Sequence, residues 1–531
     1  MKTLLTNSLS PYTGSWSKVQ AAHLLRRSTF GATFEQIKEV EILGLDMAVQ
    51  LLLSDLPHPS PPLNYFHEDD PYAPIGTSWV DKRYPQGDGF FQRRFSLDAW
   101  VLGQLFTQEI SIREKMVLFW HNHFAVERGV IEDAKALYKY SKLLRENALG
   151  NFRQLVKDIT LDPAMLWYLN GRDNTKNNPN ENYARELLEL FTIGKGDIAG
   201  PGDYTTFTEE DVIQIARVLT GWKDIGMYSS QVDELYVEFF EWDHDTGTKT
   251  LSPRFDEVQI SNAGQDEYSN LIDIIFQKRD TALYICRKIY RWFVNFDITP
   301  AIESEVIESL AQHLIDNDFD VIPVMEILLK SEHFYSTDIR GAVIKNPMEF
   351  VFSVLNGFEV EMPEDFIQWY TSLKHLSNYM EEMQMVYFAP PSVAGWEAFY
   401  LQPQFYKQWI NSVTLRPRME FTDRLSTEGF NFSGFDFQID VLSFISKLDN
   451  PAEPNDLIAD ISTVLFPDGI NEAQVDFLKE ILIPGLPDFE WTLEYGNYLE
   501  NPDNAMVRAS VEARLRDMIK AMLTFPEFYT N

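Results

Sequence analysis

Cysteine is almost missing from this chain: one residue, Cys286, in 531. That excludes an intramolecular disulfide and any metal site built from several thiolates. Cys286 lies in the amphipathic stretch Thr281 to Tyr290 and reads as a small core residue. Basic residues are scarce as well. Lys and Arg total 45 against 80 Asp and Glu, a net charge of −35. Such a field repels nucleic-acid phosphates and anionic lipid, so no nucleic-acid partner is expected. It disfavours an anionic polysaccharide too, unless a local basic pocket defeats the global field. No window approaches the about 18 apolar residues that a membrane-spanning helix needs. Met1 to Pro11 carries one Lys but no sustained apolar run, which argues against a signal peptide and for the cytoplasm over the periplasm. Also missing are the phosphate-binding loop, Gly-x-Gly-x-x-Gly, Gly-x-Ser-x-Gly and His-Glu-x-x-His. Nucleotide and zincin chemistry lose their support with them.

Large apolar side chains are plentiful: 45% of residues are hydrophobic and 14% aromatic, enough for a sizeable core. Spacings of three and four mark helices at Trp16 to Leu25, Phe34 to Leu53, Ile112 to Phe124, Tyr183 to Phe191, Val212 to Leu219, Leu283 to Phe293 and Val321 to Leu329. Asp55 to Gly87 reads as a long irregular loop. Leu235 to Trp242 and Thr248 to Leu251 read as two strands paired in a hairpin. The fold class is therefore mainly α, a multi-helical globular fold with a small β-hairpin insertion. Residues 1–425 form the main helical domain. Phe421 to Pro454 reads as a connection, and residues 426–531 as a C-terminal helical segment packed on the main domain.

Five blocks carry polar residues that composition does not require. Met116-Val-Leu-Phe-Trp-His-Asn-His-Phe124 places His121 and His123 two apart, diverging by roughly 200° on a helix. Two readings stand: hydrogen-bonded core histidines, or metal ligands at a helix end. In Asn177 to Phe191, Asn178 reads as the N-cap, Pro179 as the first helical residue and Glu181 as the closing residue of a capping box. Asn182, Arg185, Glu186 and Glu189 share the polar side of that helix, as a structural ion network or as a site. Thr208 to Asp211 is a second capping box, leading to Arg217 and to Gly221 as the helix stop. Asp243-His-Asp-Thr-Gly-Thr-Lys249 puts His244 and Lys249 in a turn that needs neither. Pro390 to Trp396 is a rigid turn whose Trp396, with Trp409, either stacks on a sugar or anchors a loop.

Taken in order, these blocks resemble a bacterial family catalogued as domain of unknown function 1800. The resemblance runs from Ala22-His-Leu-Leu-Arg-Arg-Ser-Thr-Phe-Gly31 through Phe119 to Phe124 and Asn180-Glu-Asn-Tyr-Ala-Arg-Glu-Leu-Leu-Glu-Leu-Phe191. It continues over Tyr204 to Trp222, His244-Asp245 with Lys249, Lys345-Asn-Pro-Met-Glu-Phe350, Pro390 to Trp396 and Leu523 to Phe528. It implies one family unit over nearly the whole chain and transfers no catalytic residue, since the family has no agreed activity. Many members look exported, which the start of this chain does not.

Two functions compete. As a hydrolase, the protein gathers Glu186, His123, Arg185 and Arg217 as catalytic groups, with Asn182, His244, Lys249 and Trp396 binding a carbohydrate-like or other polar substrate. A divalent metal on His121, His123, Glu186 and Glu189 would activate water. Without metal, Glu186 serves as acid or base. As a binding or assembly protein, with a small-molecule, glycan or protein partner, the same cluster is a buried network that fixes helix register.

Overall fold

The structure, a computed structural model, describes residues 8–86, 89–106, 109–396, 408–432 and 434–531. The first seven residues of the leading stretch, Gly87 of the long loop and Ser433 of the connection lie outside the described residues.

The architecture is mainly helical with small antiparallel sheets. The periodic segments form helices at Lys18–Ser28, Phe34–Leu52, Arg113–His123, Arg279–Phe293 and Val321–Leu329. Local chemistry sets their starts. Thr33 and Gln36 close a reciprocal capping box ahead of Phe34, and the Asp320 carboxylate accepts the Ile322 N–H. Between residues 53 and 86 the backbone is irregular, apart from turns and one isolated bridge between Leu63 and Ser78.

Helix Arg113–His123 occupies the middle of the fold, and every residue from Glu114 to His123 is buried. A helix covered on all sides has no solvent face on which to display two histidines. It packs on Ala134–Glu146, which in turn meets Phe152–Thr160 and Pro163–Tyr168. Arg145 grips Glu114 through two bonds of 2.9 and 2.8 Å, both side chains being buried.

The strand pairing differs from the expected hairpin. Tyr236–Phe239 pairs antiparallel with Trp222–Ile225, Trp222 facing Phe239 and Ile225 facing Tyr236. Lys249–Thr250 pairs with Gln259–Ile260 instead. The two expected strands thus belong to different sheets, because partners lay outside the window in which the alternation was legible. Ile198–Gly200, Asp203–Tyr204 and Phe207–Thr208 form a three-stranded antiparallel sheet. The expected connection after Arg418 is also more structured. It holds the end of helix Leu415–Ser426, the pair Phe430–Phe432 with Phe435–Phe437, and the short helix Val441–Ile445.

Beyond it, helix Pro454–Leu465 lies against both Lys18–Ser28 and Phe34–Leu52, and Ala505–Thr524 packs on Leu415–Ser426. The Lys345 N–H donates to the Tyr529 carbonyl (2.9 Å) and the Asn531 N–H to that of Val343 (2.7 Å). Cys286 is buried among the core residues of Arg279–Phe293, and burial pushes its thiol up.

Candidate functional site

The segment Asn180 to Phe191 carries the densest polar sequence, and its geometry departs from a plain helix. Asn180, not Asn178, is the N-cap: its side chain accepts the Asn182 N–H at 3.0 Å. Asn178 and Thr175 form a tight bridge around a turn at Lys176 and Asn177, so Pro179 lies before the helix and not at its first position. The Asn180 N–H is held by Asn174, a buried residue that also donates to the Ala216 carbonyl (2.8 Å). Asn174 thereby fixes the helix start against helix Glu209–Val218. Its position before the capping signal gave no hint of that role.

After Glu181–Glu186 the chain continues as a π-turn over Leu187–Phe191. Such turns are rare and recur at functional sites. Here the last carbonyls turn toward other elements. Phe191 accepts from His123 Nε2 (3.0 Å), and Leu190 accepts from the Lys288 ammonium (3.3 Å). Since a carbonyl only accepts, Nε2 of His123 carries the proton and Nδ1 receives the Lys288 ammonium at 3.0 Å. Burial, then the Lys288 charge, drives His123 well below the ordinary histidine range. His123 is a neutral, fully engaged core residue.

His121 is closed in the same way. Its Nε2 accepts the Phe388 N–H (3.1 Å), so Nδ1 donates to the Tyr140 hydroxyl (2.9 Å), which donates to the Phe124 carbonyl (2.7 Å). Burial lowers its pKa to about 3. The expected metal set of His121, His123, Glu186 and Glu189 is therefore not assembled. Both imidazoles spend both nitrogens on other partners. No group of three or more His, Cys, Asp or Glu placed to hold a metal occurs among the described residues.

Several other expected site residues prove to be paired. Arg185 forks onto Glu209 (2.9 and 2.7 Å) and reaches Glu181 (3.2 Å), while the Tyr204 hydroxyl also donates to Glu209. This network is half-exposed, so Arg185→Ala should change stability by less than about 1 kcal/mol in a urea melt. Arg217 bonds Asp245 (2.7 Å) and Gln214 (2.6 Å), not Glu186 or Glu189. The expected capping box Thr208 to Asp211 is present. Gly221, expected as the helix stop, instead carries φ +96° beyond the cap, where an added Cβ would sit 3.0 Å from the Phe240 carbonyl. The Asn182 side chain is exposed.

His244 and Lys249 are buried, not displayed at a turn. His244 Nδ1 faces the Thr220 carbonyl (3.0 Å) and Nε2 faces Glu267 (3.2 Å), so both nitrogens donate and the ring is charged. Burial opposes that charge, and the bonds to Glu267 and Thr220 outweigh it, raising the pKa. The Lys249 ammonium donates to the other Glu267 oxygen and to the Asp245 carbonyl. Trp396 is buried with its ring edge-on to His121 at 5.2 Å, and the Asn122 side chain accepts its backbone N–H (2.9 Å). It anchors a loop and offers no stacking face. Trp409 is buried likewise.

Glu186 is the exception. It is half-buried and has no hydrogen-bond or ion-pair partner among the described residues. Burial, and then the neighbouring Glu189 carboxylate, pushes its pKa up to about 7, while Arg185 and Lys195 act the other way. Glu189 has its own cation, Lys195 at 3.3 Å. Two half-buried phenols, Tyr168 and Tyr284, lie close enough to feel the Glu186 charge. The Lys288 ammonium sits 5.0 Å over the Tyr284 ring. Sequence reading missed Tyr168, Tyr284 and Lys288. The spacing of Tyr284 and Lys288, four apart on an amphipathic helix, is the one signal that pointed to a shared face.

The family described as "Protein of unknown function (DUF1800)" matches residues 23–530. The chain belongs to the DUF1800 family. No curated protein and no solved structure matches it. All the blocks placed above fall inside the DUF1800 match, so the π-turn and the Glu186 neighbourhood are part of the family region.

Proposed function

We infer that this protein performs metal-independent acid–base chemistry on a polar, uncharged substrate of the carbohydrate class, with Glu186 as the group that gives or takes the proton. One observation carries the reading. Glu186 is the one charged residue of Asn180 to Phe191 without a hydrogen-bond or ion-pair partner among the described residues, and it is half-buried and held near pH 7. A proton-transfer group works best with a pKa near the working pH. Glu189, bridged to Lys195 at 3.3 Å, supplies the second carboxylate that hydrolysis of glycosides uses. Tyr284 and Tyr168 provide half-buried aromatic and hydroxyl surface in place of Trp396. The net charge of −35 favours a neutral substrate over an acidic one.

The competing reading, a binding or assembly protein, is favoured by the closed pairs of Arg185, Arg217, His121, His123, His244 and Lys249. Turnover of neutral chromogenic glycosides in the presence of a chelator separates the two. Turnover with a limb near pH 7, falling by about 10²-fold or more in Glu186→Gln, supports catalysis. Equal turnover in the variant, or a Glu186 carboxyl that titrates by ¹³C NMR near the ordinary value of about 4.3, overturns it.

A further inference from the structure

Helix Phe489–Glu500 has two apolar faces, and the fold covers one of them. Trp491 and Tyr495 are buried, and the Trp491 indole N–H donates to the Pro451 carbonyl at 2.8 Å. Helix Ala505–Thr524 packs against this helix, with Ser510 and Arg514 both donating to Glu494.

The other face is open. Phe489 is 57% exposed, Leu493 62% and Leu499 58%, and Leu486, just ahead of the helix, is 49% exposed. A helix that is apolar on all sides is normally buried on all sides. Single exposed apolar residues are ordinary, but a group of them on one element marks an interaction site.

Their spacing is that of a helix seam. Leu486, Phe489, Leu493, Gly496 and Glu500 follow one another at steps of three, four, three and four. That is the repeat by which one helix lays a stripe along another. Gly496 adds an independent sign. Glycine is costly inside a helix, and nothing in this chain requires it here. A Cβ at Gly496 would meet no neighbouring atom within 4 Å. The missing side chain leaves room for another backbone to come close.

Charge defines the partner. Every charged residue between Phe489 and Asn504 is an acid: Glu490, Glu494, Glu500 and Asp503. Glu494 is held by Arg514, whereas the carboxylates of Glu490, Glu500 and Asp503 have no partner among the described residues. A second copy of this chain would bring the same carboxylates to the seam, and the net charge of −35 opposes that pairing. The complement is a helix with an apolar stripe for Phe489 and Leu493 and with Lys or Arg beside the free acids.

We propose that the outer face of Phe489–Glu500 docks a basic amphipathic helix of another protein.

The probe is a synthetic helical peptide of about 18 residues, with Leu at the seam positions and Lys at the flanks. Its control has the same residues in scrambled order, so that the charge is kept and the stripe is lost. Both are titrated with the full chain by fluorescence anisotropy at about 0.15 M salt, and again with Leu493→Ser and Gly496→Leu. The ordered peptide should bind about tenfold or more tighter than the scrambled one, and each variant should lose about tenfold or more of that affinity. Gly496→Leu should melt at or above the wild-type temperature, because leucine favours the helix and has open space, so its weaker binding is not misfolding. Equal binding of the two peptides, or variants that bind the ordered peptide as the wild type does, would overturn the proposal. So would a wild-type dimer in sedimentation that Leu493→Ser dissolves, which gives the face to a second copy. Flotation of the wild type, but not of Leu493→Ser, with phosphatidylcholine vesicles overturns it in favour of a lipid surface.

Discussion

Glu267→Gln is expected to cost about 3–5 kcal/mol of stability, read as a shift of the urea midpoint without a change in slope. Glu267 is fully buried and serves two cations at once, His244 and Lys249, each buried with it. Removing its charge leaves both unpaired in a medium that solvates them poorly. The contrast with Arg185 is one of environment: a half-exposed pair is backed by water, and this one is not. The joint replacement Lys249→Met with Glu267→Met should recover most of the loss, because it withdraws charge from both sides. A loss below about 1 kcal/mol for Glu267→Gln would mean that water reaches the network. The His244 contribution has a pH signature. Its pKa is raised in the fold, so its stabilisation is complete below the unfolded value of about 6.5 and fades as pH rises through the folded one.

The second large effect is acid lability. Four buried histidines titrate low: His23 and His123 far below the ordinary range, His121 near about 3 and His333 near about 4, with burial the leading cause in each. Below about pH 6.5 the unfolded chain takes up protons that these folded rings refuse, so stability falls with pH. Asp162 and Glu186 act oppositely. Burial raises both to about 7, so the folded state holds their protons while the unfolded state does not. For these six groups the difference is two protons, or about 3 kcal/mol lost per pH unit between about pH 6 and 5. Against a typical total of about 5–15 kcal/mol, that is a large share of the stability lost in mild acid. Urea melts at pH 7, 6 and 5 measure it directly. A flat stability over that range would show that the imidazoles gain protons in the fold.

The helices were legible because burial leaves a mark at spacings of three and four, and caps such as Thr208 with Asp211 repeat known local chemistry. The small sheets were not, since two-residue strands such as Lys249–Thr250 carry no alternation and find partners through tertiary contacts. Among site residues, sequence recognised that Arg185, Arg217, His244 and Lys249 were unusual, but not what answered them. Glu209, Asp245 and Glu267 are ordinary acids in an acidic chain, distinguished only by where the fold puts them. The histidines of Phe119 to Phe124 failed as ligands for a reason periodicity did hint at, a run of apolar residues on every side. Glu186 emerged by subtraction, a property of missing partners that no sequence pattern records.

The contact of Arg26 with the Thr463 carbonyl spans 437 positions of chain. At typical synthesis rates of about 5–20 residues per second, the first helix leaves the ribosome roughly 20–90 seconds before that partner exists. Through that interval Lys18–Ser28 has its neighbour Phe34–Leu52 to pack on, as in the finished fold, but Arg26 lacks its carbonyl acceptor. Arg26 and Arg27 therefore wait for their carbonyl acceptors, Thr463 and Ile339, until most of the chain has been made.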